Sequence, residues 1–149
     1  VNGSNSNNNN NMTLKKYVNQ EGKNSDGWEY TPLMIAAENE HFQIVKYLIE
    51  QCEDDPNIAN SGGWNALHYA ARYSTTSTEL IQFLLNHMTN ASINKMSSRG
   101  FTPRDRAYQW NTSPIRQEII ALIRSNGGKS NCFDQNGRDV GEGNGDLNH

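Results

Sequence analysis

The sequence predicts an all-α fold, a solenoid of stacked helix–turn–helix units joined by β-hairpin-like loops. A short motif nearly repeats: residues 31–37 read TPLMIAA, residues 65–71 read NALHYAA, and residues 102–107 read TPRDRA. Leu33 and Leu67 lie 34 positions apart, a period at which each unit buries its apolar side only against a neighbouring unit. An apolar segment with helical spacing follows each copy of the motif, which indicates a second helix in every unit.

The first unit is predicted to be a helical hairpin. Thr31 suits the N-cap of its first helix, and Pro32 suits the first helical position, where a missing N–H costs nothing. Ala36 and Ala37 keep the face of this helix thin, so that a second helix can lie close. The second helix is marked by an apolar stripe at helical spacing, formed by Ile44, Val45, Leu48 and Ile49.

The second unit repeats this design with different residues. Thr76 and Glu79 have the spacing of a capping box, and they precede an apolar segment at residues 80–85. The connections between units, such as residues 54–57 and 60–63, are rich in Asp, Asn, Gly and Pro, which satisfy turn dihedral angles. We therefore expect hairpin loops here rather than strands of a sheet.

The third unit departs most from the pattern. Ser113 and Pro114 are predicted to open its second helix, which ends at Gly127. Arg104 occupies the position that leucine holds in the other units, as expected for a terminal unit with one side in water. Arg104 and Arg106 are therefore predicted to end the stack as a solvated cap.

The full pattern resembles the ankyrin repeat. A TPLxxAA motif, an apolar IVxxLI helix and an Asn-containing turn occur in this order, and with their variants they cover Ser25 to Gly128. Residues 14–19 resemble residues 44–49, which indicates the second helix of a truncated preceding repeat. The resulting layout is residues 12–24 as a half repeat, 25–58 as repeat one, 59–95 as repeat two, and 96–129 as repeat three and C-terminal cap.

Five single positions receive a structural interpretation. His68 occupies the histidine of the family's TPLH motif, which implies a structural hydrogen bond to the loops, and His41 is interpreted in the same way. Glu40 stands where the family usually has glycine between the two helices. Asn57 and Asn94 occupy matching places, and a local backbone hydrogen bond is preferred over a ligand contact for both.

Both ends of the sequence are predicted to be disordered. Residues 1–11 contain seven Asn and one apolar residue, Val1, and we interpret them as a linker because they bury too little surface to offset chain entropy. Residues 130–149 are interpreted as a disordered acidic tail rich in Gly and Asn. A chain that begins with Val1 and a linker is interpreted as a fragment of a longer protein. Two cysteines and the lack of a long apolar segment predict a cytoplasmic location without membrane insertion.

The charge of the chain is unevenly distributed. Residues 12–129 contain 12 basic and 12 acidic residues, so the net charge of −3 arises in the tail. Residues 26–55 contain eight acidic residues and one basic residue, whereas residues 95–129 contain seven basic and two acidic residues. If the units stack in order, one end of the stack is acidic and the other basic. Two interpretations stay open, namely solvated caps and a partner steered by charge.

The resemblance implies a concave face, built from the hairpin tips and the exposed side of the first helices, that binds a partner protein. Tyr30, Trp64 and Phe101 precede the three copies of the motif and form an aromatic column, for which two roles stay open: contact with a partner or packing against the next hairpin. Tyr73 and Trp110 follow the small residues of the first helices and are preferred as partner contacts. The complete predicted surface consists of Trp28, Tyr30, Glu38, Asn39, Trp64, Arg72, Tyr73, Phe101, Gln109 and Trp110.

Catalytic and metal chemistry is rejected. His87 and Cys52 would act as a dyad only if turns from different repeats converged. Residues 134–139 superficially resemble a calcium loop, but Arg138 stands at a ligand position and no Glu closes the loop. Residues 127–130 contain the Gly-Lys-Ser of a phosphate loop but follow a predicted helix rather than a strand, so they are interpreted as a helix terminator. We expect no catalytic residue, no metal, no cofactor and no small-molecule substrate.

Nucleic-acid binding is disfavoured because the basic third repeat lacks the aromatic and basic motif of a known reader. The sequence therefore predicts a non-catalytic protein–protein interaction module, with a protein partner whose identity it does not give. The alternative is a structural or autoinhibitory repeat unit that packs within a larger multidomain parent protein.

Overall fold

The computed structural model of the chain describes residues 22–23 and 27–132. Within these ranges the chain forms seven helices and one antiparallel pair of two-residue strands, so the predicted all-α repeat fold is confirmed. The elements in chain order are β1 (Gly22–Lys23), β2 (Glu29–Tyr30), α1 (Pro32–Glu38), α2 (Phe42–Glu50), α3 (Ala66–Tyr73), α4 (Glu79–His87), α5 (Asn90–Ile93), α6 (Pro103–Trp110) and α7 (Arg116–Ser125).

The helices form two layers. Helices α1, α3 and α6 pack side by side in an inner layer, and α2, α4 and α7 pack side by side in an outer layer. Each repeat thus contributes one helix to each layer. Ala36, Ala37, Ala70 and Ala71 are buried, as expected where small side chains allow helices to approach closely. The apolar core lies between the layers and continues from one repeat to the next.

The N-terminus of each inner helix is capped by a side chain. The Thr31 hydroxyl accepts a hydrogen bond from Met34 N (3.2 Å) and Pro32 occupies the first turn of α1, which confirms the predicted start of this helix. Asn65 caps α3 and Thr102 caps α6. A cap of this kind stabilises a helix by about 1 kcal/mol.

The predicted capping box of α4 is wrong. The helix begins at Glu79 after Thr78, without a side-chain cap. The Thr76 hydroxyl instead donates to Glu40 Oε1 (3.1 Å), and the same carboxylate accepts from the Thr75 hydroxyl and from the amides of both threonines. Burial opposes ionisation of Glu40, but these hydrogen bonds outweigh it and lower its pKa. Glu40 adopts a φ of 57° at the position where the family usually has glycine, and its side chain ties repeat one to repeat two.

The predicted start of α7 is also wrong. The helix begins at Arg116, two residues after Pro114, and it has no side-chain cap. The Ser113 hydroxyl lies 3.1 Å from Ser74 O and 2.6 Å from Asn111 Oδ1, so it binds the preceding repeat instead of its own helix. The predicted C-terminal end is confirmed, because α7 ends at Ser125 just before the glycine pair.

Asn57 and Asn94 both bind the backbone of the following repeat. Asn57 Oδ1 accepts from Thr89 N (2.8 Å), and Asn94 Oδ1 accepts from Lys129 N (2.7 Å). Asn94 also makes the predicted local bond, from Nδ2 to Asn90 O (3.0 Å). A purely local role was therefore too narrow, because the stacked repeats bring these amides beside a partner that is distant in the sequence.

The two histidines that were interpreted alike differ in the structure. His68 is buried, and its Nε2 lies 3.1 Å from Phe101 O in the next hairpin, which confirms the structural hydrogen bond. His41 is exposed before α2, and its side chain makes no capping hydrogen bond. The interpretation is therefore wrong for His41.

The arginines of the third repeat are buried rather than solvated, which corrects the prediction. Arg104 Nη1 donates to Gly128 O (3.3 Å), and Nη2 donates to the Tyr108 hydroxyl (3.3 Å). Arg106 is 3% exposed and lies against the ring of Trp64 in the second hairpin. Long arginine side chains can fill apolar space with their stems while the guanidinium groups find hydrogen-bond acceptors or rings.

The packed chain continues past the predicted domain boundary at residue 129. The carboxylate of Asp105 accepts hydrogen bonds from the Ser130 hydroxyl and from the amides of Asn131 and Cys132, and Cys132 is buried. Residues 130–132 therefore belong to the described repeat stack. The predicted linker at 1–11, the half repeat at 12–24 except for β1, and residues 133–149 with the loop at 134–139 lie outside the described residues.

A partly buried carboxylate after α2 is expected to lower the stability of the protein above about pH 6. Asp54 Oδ2 is buried without a hydrogen-bond partner, and burial, together with the charge of Asp55, raises the pKa of Asp54 from 3.8 to about 6. Because the folded state holds this proton more tightly than the unfolded state, stability falls as pH rises from 3.8 to about 6. Because solvent screens a carboxylate that is only partly buried, the change Asp54→Asn is expected to stabilise the protein by only about 1 kcal/mol at pH 7.5 and by much less at pH 4.

The measurement is urea unfolding of the wild type and of Asp54→Asn at both pH values. Glu118→Gln, at an exposed position of α7, is the control for the loss of one acidic charge. An equal stability difference at the two pH values would contradict the prediction.

Candidate protein-binding surface

The ten residues predicted to bind a partner lie at two places in the repeats. The hairpins contribute aromatic residues, and the ends of the inner helices contribute polar and aromatic residues. Because α1, α3 and α6 pack side by side, equivalent positions form rows across the inner layer. Trp28, Tyr30, Trp64 and Phe101 lie in or beside the hairpins; Glu38, Asn39, Arg72, Tyr73, Gln109 and Trp110 lie at the C-terminal ends of α1, α3 and α6.

The exposure of these side chains shows which of them a partner protein can contact. Tyr73 is 37% exposed, and Asn39 and Gln109 are also exposed. Trp64 is only 5% exposed, so it offers little contact area to a partner. The intermediate group consists of Trp28, Tyr30, Glu38, Arg72, Phe101 and Trp110.

The aromatic residues of the first two hairpins pack against each other and against Tyr69 of α3. The ring centroids of Trp28 and Trp64 are 6.4 Å apart, those of Tyr30 and Tyr69 are 5.5 Å apart, and those of Trp64 and Tyr69 are 4.8 Å apart. These are ordinary separations for stabilising aromatic pairs. This geometry matches the packing role that the sequence analysis left open for the column, most clearly at the buried Trp64.

Arg72 lies among three aromatic rings at the end of α3. Its guanidinium carbon is 4.8 Å from the ring centroid of Tyr73, 5.5 Å from that of Trp110 and 5.8 Å from that of Trp64. A cation within about 6 Å of a ring centroid is attracted by the π electrons. The structure thus brings two preferred partner contacts, Tyr73 and Trp110, close to one arginine.

Arg106 belongs to the same group of side chains, although the sequence predicted a solvated position for it at the end of the stack. Its guanidinium carbon is 4.0 Å from the ring centroid of Trp64, 4.4 Å from that of Trp110 and 4.7 Å from that of Phe101. Phe101 and Trp110 in turn meet edge to face at 5.0 Å. We call the set of Trp64, Arg72, Tyr73, Phe101, Arg106 and Trp110 the aromatic–arginine cluster.

The electrostatics of the cluster are dominated by arginine. Burial, together with the positive charges of Arg72 and Arg99, lowers the pKa of Arg106 from 12.5 to about 10. Arg106 is therefore still charged at neutral pH. On α1, burial raises the pKa of Glu38, while the charge of Arg72 opposes this shift. The inner layer thus changes from acidic at α1 to basic at α3 and α6.

The positions considered for other chemistry show structural roles. The ring Nδ1 of His87 lies 2.8 Å from Phe83 O, and Cys52 is buried. Within the described ranges, no three His, Cys, Asp or Glu side chains come together as a metal site. Over the same part of the chain, every helix is too short or too polar to cross a bilayer.

Stacked helical hairpins whose equivalent residues form rows across the inner layer define this chain as a repeat protein. A comparison with protein families identifies the type of repeat. The family model for ankyrin repeats in three copies matches residues 4–97. The chain belongs to the ankyrin repeat family. Ankyrin repeats are in general protein–protein interaction modules, and the family is in general non-catalytic. The matched range ends before α6, although α6 and α7 form the same kind of helix pair as the earlier repeats.

A curated mouse protein, the ankyrin repeat and SAM domain-containing protein 6, is similar to this chain. The two are 30% identical over 102 residues, which cover 68% of this chain and 11% of the mouse protein. The chain thus spans about a tenth of the length of that relative.

Proposed function

We propose that this chain is a non-catalytic module that binds a partner polypeptide through the concave face formed by its hairpins and inner helices. The chain belongs to a family whose repeats generally bind proteins. Its inner helices end in rows of polar and aromatic residues, and these rows differ in charge from repeat to repeat.

The observation that carries the proposal is the aromatic–arginine cluster. Tyr73 and Trp110 belong to neighbouring inner helices, and Arg72 lies within 5.5 Å of both ring centroids. Rings held in this way lose little side-chain entropy when a partner covers them. Tyrosine, tryptophan and arginine are also the residue types that contribute most to binding in protein interfaces.

Loss of the two rings is expected to abolish most of the binding. A library of random displayed peptides is selected on the immobilised wild type, and the affinities of the enriched peptides are measured by fluorescence anisotropy. The double change Tyr73→Ala and Trp110→Ala is expected to weaken these peptides about 30-fold or more, because interface hot spots each contribute about 2 kcal/mol.

The matched control is Tyr47→Ala, which removes an exposed tyrosine (43%) from the outer helix α2. It is expected to leave the affinities unchanged within about twofold, because surface residues outside an interface contribute little. Peptides that bind the double variant as tightly as the wild type would show that the cluster is not the site.

A further inference from the structure

Arg106 occupies a position that holds a neutral ring in the preceding repeat. Tyr69 lies 37 residues earlier at the matching place of α3, and its hydroxyl accepts from Asn60 Nδ2 (3.3 Å). In the third repeat, Arg106 Nη2 donates to Ser97 Oγ (3.0 Å), and Ser97 stands at the position of Asn60. The same local contact is therefore kept, but a buried positive charge replaces a phenol.

This charge forms no direct ion pair within the described part of the chain. The guanidinium group of Arg106 contacts Ser97 and aromatic rings but forms no ion pair among residues 27–132, and its buried Nε has no hydrogen-bond partner there. The charge of the adjacent Asp105 attracts Arg106, but the carboxylate oxygens are bound by the backbone of Thr102 and by residues 130–132. A buried charge without a directly paired counter-charge is costly.

A second arginine adds to this excess of positive charge. The guanidinium groups of Arg72 and Arg106 lie against the same two indole rings, those of Trp64 and Trp110. Arg72 is the more exposed of the two, and among the described residues it forms no ion pair either. Its interaction with Glu38 is a longer-range attraction. An anion at Arg72 would also lower the energy of the buried Arg106.

We propose that the polypeptide bound by the concave face carries an aspartate or glutamate whose carboxylate pairs with Arg72, beside Arg106, while neighbouring apolar atoms cover Tyr73 and Trp110. The occupant is an extended acidic segment of another protein. This inference rests on the function proposed above and adds the chemistry of the partner. The charge of the stack supports it, because residues 95–129 are basic and residues 26–55 are acidic, which favours an acidic side chain at the boundary between repeats two and three, where Arg72 and Arg106 lie.

The test compares matched peptides on matched variants. Peptides selected on the wild type are expected to be enriched in Asp and Glu, and each is synthesised with its acidic residue changed to the corresponding amide. On the wild type the amide peptide is expected to bind about tenfold more weakly or worse, as charge-assisted bonds to arginine contribute strongly. On Arg72→Gln the acidic and amide peptides are expected to bind within about twofold of each other.

Two further variants separate a site effect from a general charge effect. Arg106→Tyr restores the residue type of the preceding repeat and is expected to reduce the preference for the acidic peptide while the protein stays folded. Arg124→Gln removes an exposed charge from α7 and is expected to leave the preference unchanged. An equal loss of preference in Arg124→Gln would overturn the proposal.

The outcomes distinguish the proposal from the function on which it rests. Selected peptides that need Tyr73 and Trp110 but show no preference for acidic side chains would overturn the proposal and leave the binding function standing. A failure to select any peptide would overturn both. Two outcomes would assign the site to another occupant. The chain's own tail would be indicated if peptides bind more tightly after its acidic residues are changed to amides, namely Asp134, Asp139, Glu142 and Asp146. Nucleic acid would be indicated if a single-stranded RNA oligonucleotide binds more strongly than the peptides.

Discussion

Replacing His68 with alanine is expected to lower the free energy of unfolding by about 4 kcal/mol. The imidazole is fully buried at the start of α3. Its Nδ1 accepts from Asn65 N (3.1 Å), and its Nε2 lies 3.1 Å from Phe101 O, to which it donates. Alanine would leave both backbone groups without a partner and would create a cavity between repeats two and three. Urea unfolding followed by circular dichroism measures the loss.

The same contacts make the contribution of His68 dependent on pH. Burial, together with the charges of Arg106 and Lys95, lowers the pKa of His68 from 6.5 to about 3. The neutral ring satisfies both contacts, whereas a second proton on Nδ1 would meet the Asn65 amide. Because the unfolded state binds this proton more readily, stability falls as pH drops from 6.5 towards 3.

A variant that cannot titrate isolates this effect. His68→Gln keeps a donor and an acceptor, and the difference in stability between wild type and variant is expected to shrink by more than 1 kcal/mol between pH 7 and pH 5. Denaturation curves of both proteins at several pH values measure it. Parallel pH dependence in the two proteins would show that His68 does not carry the linkage.

Replacing Asp105 with alanine is expected to destabilise the protein by about 3 to 5 kcal/mol. The buried carboxylate accepts from Thr102 N (2.9 Å) at the start of α6, and from Asn131 N (3.0 Å) and Cys132 N (3.3 Å) in the following segment. Asp105 lies 37 residues after His68, and both side chains join an inner helix to the segment that follows their own repeat. Its removal leaves several buried donors without an acceptor.

Hydrogen exchange gives this prediction a local measurement. In Asp105→Ala the amides of Asn131 and Cys132 are expected to exchange at least tenfold faster than in the wild type, while the amide of Leu67 changes only with global stability. Asp105→Asn keeps one acceptor and is expected to lose less than the alanine variant. The prediction fails if the Asn131 and Cys132 amides keep their protection in Asp105→Ala.

The third repeat shows why side chains that violate a repeat pattern are informative. Arg104 and Arg106 break the apolar pattern of the inner helix, and from the sequence they were therefore expected to lie in water. In the structure Arg104 reaches Gly128 O and Tyr108, and Arg106 lies among the rings of Trp64, Phe101 and Trp110. The two arginines that interrupt the repeat pattern are therefore the residues that give the inner layer its buried positive charge.

The sequence by itself determined the family, the pairing of the helices, the N-cap of α1 and the C-terminal end of α7. Each of these features depends on residues that are close along the chain. Thr31 caps a helix only three residues away, and helical spacing of apolar residues marks the faces that become buried. The structural role of His68 was also predicted, because this residue occupies the histidine of the TPLH motif in the family that the sequence resembles.

Only the tertiary structure decided which side chains meet across repeats. Thr76 and Ser113 were predicted to cap their own helices, yet they bind Glu40 and Ser74 of the preceding repeat. Arg106 joins Trp64 only after the third repeat has stacked on the second. The physical reason is that a local pattern specifies an element and its buried face, whereas a hydrogen bond or a cation–π contact between residues more than 30 positions apart depends on the register of stacking, which no local spacing encodes.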